Sequence, residues 1–109
     1  MANLYKVLGQ QVPSANTLTT LYTVPAATNT VISTISVANY GASNASYSLS
    51  VGKAGAADSA NQYFVRGATV PAADSIFLTI GLTLAATDVV RCNTSSATVA
   101  FNAFGSEIA

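Results

Sequence analysis

Ile76-Phe77-Leu78-Thr79-Ile80-Gly81-Leu82-Thr83-Leu84 places a large aliphatic side chain at every second position. Successive side chains of a β-strand point to opposite faces, so this alternation predicts a strand with one apolar face turned to a core. Tyr47, Leu49 and Val51 repeat the pattern, separated by serines. Both stretches indicate antiparallel β-sheet with one buried face.

Turn-forming clusters of Gly, Pro, Asn and Ser recur between such stretches, and helix-forming residues are scarce throughout the chain. The segments between the turns are rich in Thr, Val, Ile, Ser and Tyr, which favours seven or eight short strands. Any helix is expected to be a single turn in a loop. The predicted strands lie near residues 4–9, 18–24, 30–39, 45–53, 61–66, 75–84, 88–93 and 97–105.

A chain of 109 residues has the size of one domain, so residues 1–109 are predicted to form a single all-β sandwich of two antiparallel sheets. An immunoglobulin-like strand order is the first expectation, and a jelly roll is the alternative. Residues 1–16 are predicted to be a strand and a tether. That strand either completes its own sandwich, which we prefer, or adds to the open edge of a neighbour.

The string Thr-Val-Pro-Ala-Ala occurs twice, at residues 23–27 and 69–73, and each copy leads into an apolar strand. The match is too short to indicate a duplicated unit. Proline fixes φ as the chain leaves one strand, and Thr28 or Asp74 can bond the nearby backbone before the next strand begins. The repeat therefore predicts two similar corners.

Ionisable side chains are few: four Lys or Arg, four Asp or Glu, and no histidine. Four separated cations cannot neutralise a run of phosphates, which argues against nucleic acid, and the zero net charge argues against an anionic membrane. Without histidine, and with Cys92 as the single thiol, the sequence offers no nucleophile-base pair and no metal-ligand set. We therefore expect no enzyme activity and no catalytic, cofactor or metal site.

Tyr63, Phe64 and Arg66 fall together on one short predicted strand, which we expect to be an edge or a contact region. Aromatic residues and arginine are enriched where interfaces are most deeply buried. Together with Tyr5, these residues form the predicted interaction site. The remaining phenylalanines are expected in the core or at an interface: Phe77, Phe101 and Phe104.

Five segments of the chain together resemble a known group of proteins. They are Met1 to Gln10, Leu21 to Ala27, Ile32 to Asn39, Leu84 to Val90 and Phe104 to Glu107. In this set the sequence resembles small virion structural proteins of tailed bacteriophages, especially cyanobacterial and marine phages. The similarity covers nearly the whole chain and consists of fold-patterning motifs. It implies a capsid decoration (cement) protein or a small tail or baseplate component.

The leading expectation is a non-enzymatic decoration protein that binds the lattice of the major capsid protein as a dimer or trimer and stabilises the shell. A thinly charged surface gains little mutual repulsion, which suits a lattice subunit. The alternative is a tail or baseplate adaptor that binds other virion proteins and holds a fibre, with carbohydrate contacts through exposed tyrosines. Residues 1–6 lack the pattern of a secretory signal, so we expect assembly in the host cytoplasm and a final location in the virion.

Overall fold

The computed structural model describes residues 3–108 of the chain. In this part all eight predicted strands are present, and the helical content consists of two single turns of 3-10 helix between the fourth and fifth strands, Lys53–Gly55 and Ala60–Gln62. The strands are β1 (Asn3–Gln11), β2 (Thr19–Thr23), β3 (Asn29–Asn39), β4 (Ala45–Gly52), β5 (Tyr63–Val70), β6 (Asp74–Leu84), β7 (Val89–Thr94) and β8 (Val99–Ile108).

The strands form two antiparallel four-stranded sheets that pack together as a sandwich. The first sheet has the order β1-β8-β3-β6 and the second the order β2-β7-β4-β5. Because β1 pairs with β8, β2 with β7, β3 with β6 and β4 with β5, the chain follows one long hairpin rolled into two sheets. This is the jelly-roll arrangement.

The predicted β-sandwich is therefore confirmed, and the strand order is that of the alternative we named. The immunoglobulin-like order needs a correction, because it puts the first two strands in one sheet. Here β1 and β2 lie in different sheets. The predicted N-terminal strand is β1, and it pairs with β8 of its own chain.

The two Thr-Val-Pro-Ala-Ala strings form similar corners, as predicted. Each carries the chain from the second sheet to the first, between β2 and β3 and between β5 and β6. Ala27 and Ala73 occupy equivalent positions with φ of 55° and 54°. The Thr28 hydroxyl donates to the Ala26 carbonyl, and the Asp74 carboxylate accepts from the Ser75 N–H. Proline cannot extend a ladder, so each corner ends one strand and redirects the chain.

The core lies between the sheets and is built from the inward side chains of both. Tyr47 and Phe101 meet edge to face at its centre, with ring centroids 6.2 Å apart. Cys92 is fully buried on β7 and serves as a small apolar residue. The largest side chains with no exposed surface are Phe101, Ile32, Ile35 and Leu49.

Two predicted details of the strands are wrong because β-bulges form at glycines. In β6, Ile80 and Gly81 stand where β3 offers only Ser33, so Ile80 is 38% exposed instead of facing the core. The strand predicted to end at residue 66 is also wrong, because Gly67, with a φ of 66°, forms a bulge within β5. The strand therefore continues to Val70.

Candidate interaction surface

The outer surface of the β1-β8-β3-β6 sheet carries large apolar side chains, and within residues 3–108 no Lys, Arg, Asp or Glu occupies an outward position of its ladders. We call it the uncharged face; its large apolar members are Tyr5, Val7, Val31, Phe77 and Phe104. Among residues 3–108, the Lys, Asp and Glu residues of this sheet lie at the positions between the outward ones, so their side chains leave the strands on the other side. They are Lys6, Asp74 and Glu107.

The apolar members of the uncharged face are well exposed: Tyr5 by 81%, Phe77 by 68%, Val7 by 49% and Phe104 by 37%. Val7 lies opposite Phe104 in the ladder between β1 and β8. Tyr5, Val31 and Phe104 line one open depression and form a continuous apolar patch there. Lys6 also borders this depression, and its ammonium group is paired with the Glu107 carboxylate. Phe77 stands on the other edge strand, opposite Ser36.

The opposite side of the sandwich is different, because charged groups and a fixed loop cover the outer surface of the second sheet. We call it the charged face; its ionisable members are Lys53, Asp58, Arg66 and Arg91. The guanidinium of Arg91 donates to the Ala56 carbonyl at 2.9 Å. These groups give the two sides of the molecule unlike chemistry.

Asp88 also holds the loop between β4 and β5 in place. Its carboxylate accepts from the Ala54 N–H at 2.8 Å and from the Ala85 N–H at 2.9 Å. Asp88 is itself buried, so these charge-assisted bonds are protected from water. With the Arg91 contact they fix the loop against β7.

The predicted interaction residues of β5 lie on the charged side. The Arg66 guanidinium stacks 4.7 Å from the centre of the Tyr63 ring, and the Tyr63 hydroxyl donates to Asp58 at 3.0 Å. That hydrogen bond raises the pKa of Tyr63 above its ordinary value. Phe64 is 37% exposed, and β5 is an edge strand of its sheet.

The structure separates Tyr5 from the other predicted residues. Tyr5 lies on β1, an edge of the first sheet, whereas Tyr63, Phe64 and Arg66 lie on β5, an edge of the second. The predicted site is therefore two surfaces on two different sheets.

Sequence reasoning did not single out Phe77 as a surface residue, although the signal was present. Ile76 and Leu78 pack against the core, so the residue between them must point outward. Of the three phenylalanines expected in the core or at an interface, Phe101 is fully buried, while Phe77 and Phe104 are exposed.

One buried polar cluster joins the two sheets. The Tyr22 hydroxyl donates to the Glu107 carboxylate at 2.5 Å, and the Thr30 hydroxyl lies 2.9 Å from the Tyr22 oxygen. Lys6 pairs with Glu107 at 2.8 Å. Burial and the bond to Glu107 raise the pKa of Tyr22 to about 12, and the bonds from Lys6 and Tyr22 lower the pKa of Glu107. The polar groups of this cluster satisfy one another's hydrogen bonds, which is typical of a cluster that stabilises the fold.

Residues 3–108 contain no group of three His, Cys, Asp or Glu side chains placed to hold a metal ion. Within the same residues, no helix has the length and apolar character needed to cross a membrane. Comparisons of the chain with protein-family models, curated proteins and solved structures find no match. The functional interpretation therefore depends on the fold and its two faces.

Proposed function

We propose that this protein is a non-enzymatic structural protein of a tailed-bacteriophage particle, a decoration protein that binds the major capsid protein lattice and strengthens the shell. The observation that carries the proposal is the division of its surface into an uncharged face and a charged face. A subunit that links neighbours needs at least two contact surfaces. Unlike chemistry keeps those two contacts distinct.

The exposed apolar groups support a role in assembly. Monomeric proteins seldom leave a continuous apolar patch uncovered, and such patches usually mark contacts with other proteins. Tyr5 and Phe77 are the most exposed large apolar side chains of residues 3–108. We propose a phage particle as the assembly because the sequence resembles phage virion proteins.

The fold is compatible with this role but does not decide it. Jelly rolls occur in viral capsid proteins and also in lectins, so the surface has to carry the argument. The depressions beside Tyr5 and beside Lys53 are open to solvent, whereas a small-molecule site encloses most of its ligand. Broad contact with protein is the function that these surfaces favour.

In this proposal the β5 edge contacts the major capsid protein. Phe64 supplies an apolar anchor, and Arg66 is already held above Tyr63. Because Asp88 and Arg91 fix the adjacent loop, little conformational entropy is lost on binding. Each contact is modest, and repetition over the lattice multiplies its effect on the shell.

The decisive experiment compares phage particles assembled with and without this protein. We expect on the order of hundreds of copies per particle, located on the shell by electron microscopy, and earlier heat rupture of particles that lack it. Roughly a few dozen copies at the tail would favour the adaptor alternative instead. Absence from purified particles would contradict both roles.

A binding assay tests the contact strand. Purified protein is added to particles assembled without it, and the bound fraction is measured after sedimentation. Phe64→Ser is expected to weaken binding at least about 10-fold, since buried aromatic anchors dominate interfaces. Thr69→Ser, at an exposed position of the same strand, is the control and should bind normally. Equal binding by both variants would exclude β5 as the contact.

A further inference from the structure

We infer that a second copy of this chain covers the uncharged face, so that two β1-β8-β3-β6 sheets pack face to face in a two-fold dimer. This inference deepens the proposed function and rests on it for the second contact of a linking subunit, because it names the partner and the surface of that contact.

The first argument is the charge of the partner. Burying an unpaired charge against apolar groups is costly, so whatever covers Tyr5, Val7 and Phe104 must itself present an uncharged surface. Within residues 3–108, the outer surface of the second sheet cannot do so, because it carries Lys53 and Arg66 among its charges. The uncharged face of a second copy meets the requirement.

The second argument is area. The face is four strands wide, and its edge strands β1 and β6 are 9 and 11 residues long. With strands ~4.8 Å apart and a rise of ~3.3 Å per residue, the face covers roughly 600 Å². Two such faces would bury roughly 1,200 Å², which is the lower limit for a specific, stable interface. One face therefore suffices for a dimer without help from the edges.

The third argument is the shape of the uncharged face. Tyr5 and Phe77 project from opposite edge strands, and near Phe77 the two central strands carry small outward residues, including the paired Ala38 and Ala100. In a two-fold contact the same surface of both copies is buried, so a large side chain of one copy can fit into the depression formed by the small side chains of the other. Sheets that pack face to face interdigitate in this way.

Sedimentation equilibrium of the full chain tests the inference. The expected mass is twice the chain mass of 11.0 kDa. The association should also be as tight at ~1 M NaCl as at ~0.1 M, since no charge pair contributes to it. A monomer at high protein concentration, or a dimer that dissociates in salt, would overturn the inference.

Matched variants locate the contact. Thr79 and Thr69 are both exposed on edge strands, Thr79 on the uncharged face and Thr69 on the second sheet. Thr79→Glu would bury a carboxylate in the dimer and should weaken association at least about 100-fold, whereas Thr69→Glu should leave it unchanged. Equal association of both variants would overturn the assignment to this face.

Phe77→Ser provides a second test that adds no charge, and thermal unfolding of each variant verifies that it is folded. Loss of association in Phe77→Ser supports the inference, and retention of the dimer contradicts it. The test of the dimer and the test of the proposed function can fail independently. A dimer that is absent from particles refutes the decoration role alone, and a monomer that decorates particles refutes the dimer alone.

Discussion

The hydroxyl of Tyr22 donates a hydrogen bond of 2.5 Å to the carboxylate of Glu107, which joins β2 of one sheet to β8 of the other. Lys6 binds the same carboxylate from β1. Tyr22 and Glu107 are both buried, so the bond is made in a medium of low polarity, where it is stronger than in water. The cluster thereby fastens the first strand of the chain to the rest of the sandwich.

Replacing Glu107 with glutamine should destabilise the fold. Glutamine keeps an acceptor oxygen but removes the charge, and hydrogen bonds to charged groups contribute about 1 kcal/mol more than neutral ones. We therefore expect Glu107→Gln to lower the free energy of unfolding by about 1–2 kcal/mol in urea titrations followed by circular dichroism. Lys6→Met is the control: Lys6 is 47% exposed, and its loss should cost less. A larger effect of Lys6→Met would contradict this account.

The stabilising effect of Glu107 should depend on pH. Its pKa is lowered in the folded protein from an ordinary value of 4.5, chiefly by the hydrogen bond from Lys6 and then by that from Tyr22. A carboxyl with a depressed folded pKa contributes stability that is complete above its unfolded pKa and is lost as the pH falls through the folded value. The stability difference between the parent and Glu107→Gln should therefore shrink below pH 4.5. A difference that stays constant into strong acid would refute this role.

Gly9 should not tolerate a larger residue. A Cβ atom at this position would lie 2.1 Å from the carbonyl oxygen of Leu21, so β1 would have to move away from β2. We expect Gly9→Ala to cost about 1–3 kcal/mol, as overpacked sites do, and to raise hydrogen exchange in Asn3–Gln11. Gly67→Ala is the comparison: no atom lies within 4 Å of its added Cβ, so its cost comes from the positive φ of 66° alone, and hydrogen exchange in β1 should stay unchanged. Unchanged exchange in β1 of Gly9→Ala would show that the strand is not held in this way.

Cys92 should be inert in the folded protein. It has no exposed surface, and burial raises the pKa of its thiol to about 12. Because the thiolate is the reactive form, an aromatic disulfide reagent should label Cys92 only after unfolding in urea. Rapid labelling in native buffer, at a rate independent of urea, would mean that the core opens far more easily than its packing indicates.

Local patterns were sufficient to predict the strands and the corners. The alternation around Ile76 and Leu78 correctly assigned those residues to the core, and the two Thr-Val-Pro-Ala-Ala strings correctly marked corners. The same alternation failed at Ile80, because the bulge at Gly81 depends on the pairing with β3. A bulge is a property of two strands, so the sequence of one strand does not contain it.

Tyr5 and Tyr22 show why the interaction surface was harder to predict. Both lie on edge strands, yet Tyr5 is 81% exposed and Tyr22 only 7%. Alternation determines which residues share a face, but whether that face is covered depends on the sheet that packs on it. The uncharged face could therefore be recognised only after the strand order was known.

The sequence by itself determined the all-β class, the approximate position of each strand and the scarcity of charge, because these follow from local patterns and composition. It also determined which residues of a strand share a face, except where a bulge interrupts the alternation. Only the tertiary structure decided the jelly-roll order, the separation of Tyr5 from the β5 residues and the gathering of uncharged side chains on one sheet. Those features depend on which strands become neighbours, and antiparallel strands distant in sequence pair through backbone groups common to every residue.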